Sequence, residues 1–213
     1  MHVVRLRVWL PDRPGALGAV ASRIGSVKGD VTGIEILEQG AGRAIDDLVV
    51  ALPDASLVDL LVSEVGEVDG VDVEEVISLG TEGYDPDLDA LEAAAALVAI
   101  EDREVLVTKL CRQIHLGTGA TWSGVVDLEH RVMLASNGEV PAFDWLHAFV
   151  LGSRSSELVA AGQAGPDDML SAALGEWGAV VIGRDGHPFR ARERRRLTAL
   201  ARIVEVRLSQ LGR

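Results

Sequence analysis

The chain has 213 residues, a formal charge of −13 at pH 7, 48% hydrophobic and 25% charged residues, an ordinary composition for a soluble globular protein of one large or two small domains. The longest apolar run, Ala93 to Ile100, falls well short of the roughly 20 residues of a membrane-spanning helix. Arginines interrupt the N-terminal apolar stretch and argue against a secretory signal, and the lone Cys111 closes no internal disulfide, so a reducing, cytoplasmic setting is expected. The acidic body disfavours nucleic acid, whose phosphates it would repel, although the stretch from Arg184 onward holds nine basic residues against three acidic ones.

In chain order, Val4, Leu6, Val8 and Leu10 alternate within His2 to Leu10 and predict a half-buried strand. Pro11-Asp12-Arg13-Pro14-Gly15 is a turn. Leu17, Val20, Ala21 and Ile24 then mark one face of a helix over Pro14 to Val27, with the proline in its first turn. Val31 to Leu37 is a second strand, Gln39 to Gly42 a hairpin turn, and Ala44 to Leu52 a third strand. Ser56 to Val65 reads as a helix capped by Asp54 or Ser56, and Val71 to Ile77 as a fourth strand. This βαββαβ order is the split ferredoxin-like arrangement, an antiparallel four-stranded sheet with two helices on one face.

The periodic pattern breaks between Gly80 and Asp87, where two glycines and a proline fall close together. Beyond it, Leu88, Leu91, Ala95 and Val98 form a short coiled-coil-like seam on a helix from Asp87 to about Glu101. Leu106, Leu110 and Ile114 mark a second helix, closed by Gly117-Thr118-Gly119. Strands follow at Thr121 to Leu128 and Val132 to Ser136. The Phe143, Trp145, Leu146, Phe149 and Val150 cluster is compatible with a helix, and Pro166 to Leu174 looks helical. Ala179 to Ile182 is a buried strand, and a last helix runs from Arg192 to Leu211. The expected division is a first domain at 1–80, a linker and connecting helix at 81–101, and a second domain at 102–213. The fold class is α+β in both.

The segment Val8-Trp9-Leu10-Pro11-Asp12-Arg13-Pro14-Gly15-Ala16-Leu17, followed by Gly29 to Ile36 and Arg43 to Val50, resembles an ACT domain over about residues 2 to 79. The end of the chain, Ala179-Val180-Val181-Ile182-Gly183-Arg184-Asp185-Gly186-His187-Pro188-Phe189 with Glu193 and Leu197, resembles the close of a GAF domain, and the likeness covers about residues 100 to 211. The first resemblance implies pairing of two copies and a small ligand, often an amino acid, at their interface. The second implies a module that senses small molecules or only dimerises.

The loop offers a physical basis for such a ligand. Gly15 permits close backbone approach. The amides of Gly15, Ala16 and Leu17 open a helix and point outward, where they attract a carboxylate. Asp30 is expected within reach, to take an ammonium. The ligand-binding candidates are therefore Asp12, Arg13, Pro14, Gly15, Ala16 and Leu17 in the loop, with Asp30, Val31 and Thr32 at the second strand. Many ligand-binding ACT domains carry asparagine where Asp30 aligns.

Other groups carry less chemistry. Cys111 and His115 lie one helical turn apart but lack a third, orienting group. The five histidines show no metal-ligand spacing. Gly162-Gln163-Ala164-Gly165 lacks the setting of a phosphate loop, and the acids at 46 and 47 point to opposite faces of a strand. No catalytic residue, metal or cofactor is expected. The arginines from Arg190 to Arg196 open a helix against its dipole and offer either a solvated face or a surface for an acidic partner or nucleic acid. The reading is a non-enzymatic, homodimeric metabolite sensor. The alternative is a dimerisation module that docks a protein partner without a small ligand.

Overall fold

The computed structural model describes residues 1–80, 85–160 and 166–212. The Thr81-to-Tyr84 part of the expected linker and the Gly162-to-Gly165 segment lie outside them. The chain divides into two compact units, Met1–Pro86 and Asp87–Arg213.

In the first unit β1 (His2–Pro11), α1 (Ala16–Ser26), β2 (Asp30–Gly40), β3 (Arg43–Leu52), α2 (Val58–Gly66) and β4 (Asp72–Gly80) follow one another, with a single 3-10 turn at Ala55–Leu57 before α2. The sheet order is β2-β3-β1-β4, antiparallel throughout. That is the expected ferredoxin-like topology. Alternation along β1 and β3 sends Val4, Leu6, Val8, Leu10, Leu48 and Val50 into one core with Val20 and Ile24 of α1 and Leu61 and Val65 of α2. The β2–β3 hairpin is tighter than expected. Gly40 pairs with Arg43, and the two loop residues Ala41 and Gly42 both adopt positive φ, the geometry that matches strand twist across a two-residue turn. Asp54 caps the 3-10 turn by accepting from the Ser56 amide at 2.7 Å.

The second unit comprises α3 (Pro86–Val98), which begins one residue before it, α4 (Arg103–Thr118), β5 (Trp122–Asp127), β6 (Val132–Asn137), α5 (Phe143–Arg154), α6 (Glu157–Ala160), β7 (Met169–Leu174), β8 (Gly178–Gly183) and α7 (Ala191–Leu211). Its antiparallel sheet has the order β6-β5-β8-β7. The centre of the sheet is covered on both faces. Val125, Val180 and Ile182 face Leu106, Leu110, Leu197, Val204 and Leu208 of α4 and α7, whereas Val126, Ala179 and Val181 face Leu146 and Val150 of α5. Coverage on both sides accounts for β8 being apolar and buried at every position.

One expected element is corrected. Met169 to Leu174 is a strand, not part of a helix, and pairs with β8 from Met169↔Gly183 to Leu174↔Gly178. Its alanines, leucines and methionine favour helix in isolation. Here the turn at Gly175, with φ 67°, folds the segment back onto β8, and ladder pairing overrides that local preference.

Candidate functional site

The end of β1 leads into α1 through an exposed loop. The Asp12 amide donates to the Gly42 carbonyl at 2.9 Å and the Arg13 amide to the Pro11 carbonyl at 2.8 Å, so the loop is tied to the β2–β3 turn. Gly15 is the N-cap at φ 89°, a left-handed conformation that costs glycine little. No side chain caps this helix. The Ala16 amide reaches the Arg13 carbonyl at 3.3 Å and the Ala19 amide the Gly15 carbonyl at 3.0 Å. The amides of Leu17 and Gly18 between them meet no acceptor among the described residues. Two free N–H groups at the positive end of a helix form a seat for a small anion.

Beneath this helix lies a residue that the sequence reasoning passed over. Asp46 pairs with Val8 on one side and Ile36 on the other, so its side chain shares the helix-bearing face of the sheet with Val8 and Leu48. It is 4% exposed, and its Oδ1 has no hydrogen-bond partner among the described residues. Burial first, then the charges of Asp47 and Asp12, push its carboxyl up to about 6. The sequence signal was an acid in the middle of an apolar strand, read only as one of two neighbours on opposite faces.

That reading of opposite faces holds. Asp47 lies on the other side of the sheet and takes a bidentate pair from Arg7 at 2.8 and 2.9 Å, with both residues buried. Arg5 reaches Glu75 at 3.0 Å beside them.

Asp30, Val31 and Thr32 do not join the loop within one chain. Asp30 pairs with Ala51 at one end of β3, whereas Pro11 pairs with Arg43 at the other. Eight residues of extended strand separate the two positions, roughly 27 Å. Asp30 and Thr32 are exposed, and the Thr32 hydroxyl donates to the Val49 carbonyl at 3.3 Å. Asp12 through Leu17 are therefore contiguous, and Asp30 is out of their reach because α1 carries the chain from one end of the sheet to the other.

In the second unit the side chains singled out for chemistry have structural surroundings. Burial pushes the Cys111 thiol up to about 11, so at neutral pH it holds its proton and is no nucleophile. Arg184 spans Glu193 through two contacts of 2.9 Å and also donates to the carbonyls of Thr118, His187 and Pro188. Gly183 leaves room for the Trp122 indole, with which any Cβ would collide. His147 lies tilted beside Phe143, with ring centroids 5.8 Å apart, and sits 3.4 Å from Arg131 at the surface. No group of three or more metal-ligating side chains occurs among the described residues.

The arginine run is largely used internally. Arg190 and Arg194 are buried, and Arg194 donates to the carbonyls of Pro166 and Phe189. Arg192 and Arg196 lie 3.2 and 3.7 Å from Asp87. Arg195 is the exposed member of the run.

No protein-family profile and no curated protein matches this chain. Solved structures do. The ACT domain of a GTP pyrophosphokinase from Chlorobium tepidum is 16% identical, with a TM-score of 0.30, over 37% of this chain and the whole of that one. A bacteriophytochrome from the photosynthetic bacterium R. palustris is 11% identical, with a TM-score of 0.45, over 82% of this chain, which spans 42% of the phytochrome's length. No helix among the described residues is long and apolar enough to cross a membrane.

Proposed function

We propose that the protein is a non-enzymatic regulator that senses a small zwitterionic metabolite, an amino acid in the first instance, at the N-terminus of α1. One observation carries the reading: among the described residues the amides of Leu17 and Gly18 lack acceptors, and on the helix-bearing face of the sheet the Oδ1 of the buried Asp46 lacks a donor. A carboxylate and an ammonium held on one carbon match that pair of deficits. Asp30, Val31 and Thr32 lie too far away in the same chain, so in a homodimer they contribute from a second copy, and ligand binding then favours one pairing geometry over another.

The test is calorimetric titration of the full chain with each of the twenty common amino acids. Binding of one of them, lost in Gly15→Val and unaffected by N-terminal changes outside the loop, is the expected result. Saturation at 100 times the dissociation constant adds about 2.7 kcal/mol of stability. Absence of heat and of any melting shift across the whole panel refutes the sensor. The competing reading, a protein-docking module, is favoured by the half-exposed Trp145 stacked on Phe149 at 5.8 Å. It requires a protein partner whose binding falls on Trp145→Ala.

A further inference from the structure

The sheet of the first unit keeps two large apolar side chains open on the face that carries its helices. Ile34 pairs with Leu48 and Ile36 with Asp46, and cross-strand partners point to the same face. Leu48 lies in the core shared with α1 and α2, so Ile34 and Ile36 belong to that face, yet they are 51 and 46% exposed. They stand two residues apart, roughly 7 Å, on β2, an edge strand of the sheet. Val31, earlier in the same strand, does pack against the core. The helical cover of β2 therefore ends before Ile34.

The orientation of α1 leaves this strip uncovered. Arg23 of α1 donates to Glu64 of α2 at 2.9 Å, which marks the flank of α1 turned to α2. At about 100° per residue, Leu17 lies about 120° round the helix from Arg23, with the buried Ala16, Val20 and Ile24 between them. Leu17 is accordingly on the flank away from α2. Because α2 packs on β4 and α1 on β2, the two edges of the sheet, that flank looks out over β2. Leu17 is half-buried there, and Ala21, one turn on, is exposed. A crevice open to solvent runs between this flank and the strip of Ile34 and Ile36.

The polar groups of the crevice sit at one end. β1 ends at Pro11 and α1 begins at Ala16, so the first turn of α1 and Asp46, which pairs with Val8, belong to the same end of the unit. The amides of Leu17 and Gly18 meet no acceptor among the described residues, and the buried Asp46 leaves Oδ1 without a donor. The space over the helix start is open, since a Cβ on Gly15 or Gly18 would meet nothing within 4 Å. From that end the strip leads away along β2, through Ile36 to Ile34.

A polar ligand side chain laid over Ile34 and Ile36 would give up water and gain no hydrogen bond from them. An acidic one would add like charge to Asp46 and Asp12. An aliphatic or aromatic side chain covers the two isoleucines and removes apolar surface from water on both partners. We infer that Ile34 and Ile36, with Leu17, form the side-chain subsite of the α1 site and restrict it to α-amino acids with apolar side chains. The subsite rests on the sensor reading above and adds the class of ligand to it.

Titration of the full chain with the twenty common amino acids tests it, by calorimetry and, for the weaker ligands, by melting shift. Leucine or phenylalanine should bind at least about tenfold more tightly than alanine, and aspartate more weakly still. Ile36→Ala and Ile34→Ala should each weaken the better ligand about fivefold or more and leave alanine unchanged, because alanine reaches only the amides and Asp46. Both isoleucines are about half-exposed, so the melting curve without ligand should stay in place, which separates a lost subsite from a lost fold. If no amino acid binds, the sensor reading fails and the subsite with it. If the tightest ligand is polar, or is alanine or glycine, or if leucine affinity survives both substitutions, the subsite is overturned while the sensor reading stands. A fall for leucine and alanine alike overturns it too, and a changed sedimentation would then assign the strip to a contact between copies.

Discussion

Replacing Asp46 with asparagine is expected to stabilise the protein at neutral pH and to do nothing in acid. The carboxyl of Asp46 is raised from an ordinary 3.8 to about 6 by burial and by the charges of Asp47 and Asp12. The folded chain therefore holds a proton that the unfolded chain releases, and it holds it between about pH 4 and pH 6. Stability is unaffected by this group below about pH 4, falls as pH rises through that window, and carries the full penalty above it. A shift of this size corresponds to up to about 3 kcal/mol at pH 7.5. Asparagine fills nearly the same volume and cannot ionise, so Asp46→Asn should gain about 1–3 kcal/mol at pH 7.5 and nothing near pH 4. Urea unfolding of the two proteins at intervals from pH 4 to 8 measures the difference, in which the other titrating groups cancel. A difference that is constant with pH, or an asparagine variant less stable at pH 7.5, refutes the assignment of a raised, unpartnered carboxylate. If the proposed ligand places its ammonium on this oxygen, saturating ligand should narrow the gap at neutral pH.

Arg7→Met leaves Asp47 buried without its bidentate partner. It should cost about 3–5 kcal/mol, and much less when Asp47→Leu is made with it; a double-mutant cycle by denaturant unfolding checks both. Cys111, with its thiol pushed up to about 11 inside the second unit, should resist iodoacetamide at pH 7.5 and react only on unfolding. Alkylation at the rate of a free thiol would contradict the burial.

Much of the first unit could be read directly. The period of two in β1 and β3 and the period near four in α1 follow from which positions face the core, and Val4, Leu6 and Val8 against Val20 and Ile24 carry that signal within short windows. In the second unit the same reasoning located β8 but misassigned Met169 to Leu174. An edge strand whose residues all suit a helix carries no period that separates the two states, and pairing with β8 settles it. The loop between β1 and α1 was equally legible up to Leu17, because Pro14 and Gly15 have strong local meanings. The distance from Gly15 to Asp30 was not, since it depends on the direction in which α1 crosses the sheet.

The residue patterns alone thus determined two α+β units, a helix N-terminus lacking a cap and a 3-4-3 apolar stripe on α3. Each is a property of neighbours within a turn or two. Only the tertiary structure decided that Asp46 rather than Asp30 shares the sheet face that carries that helix, that Arg190 and Arg194 are buried, and that Asp87 of α3 meets Arg192 and Arg196 of α7. Those facts join residues from 28 to 105 positions apart, and the meeting of such distant residues is set by the packing of whole elements.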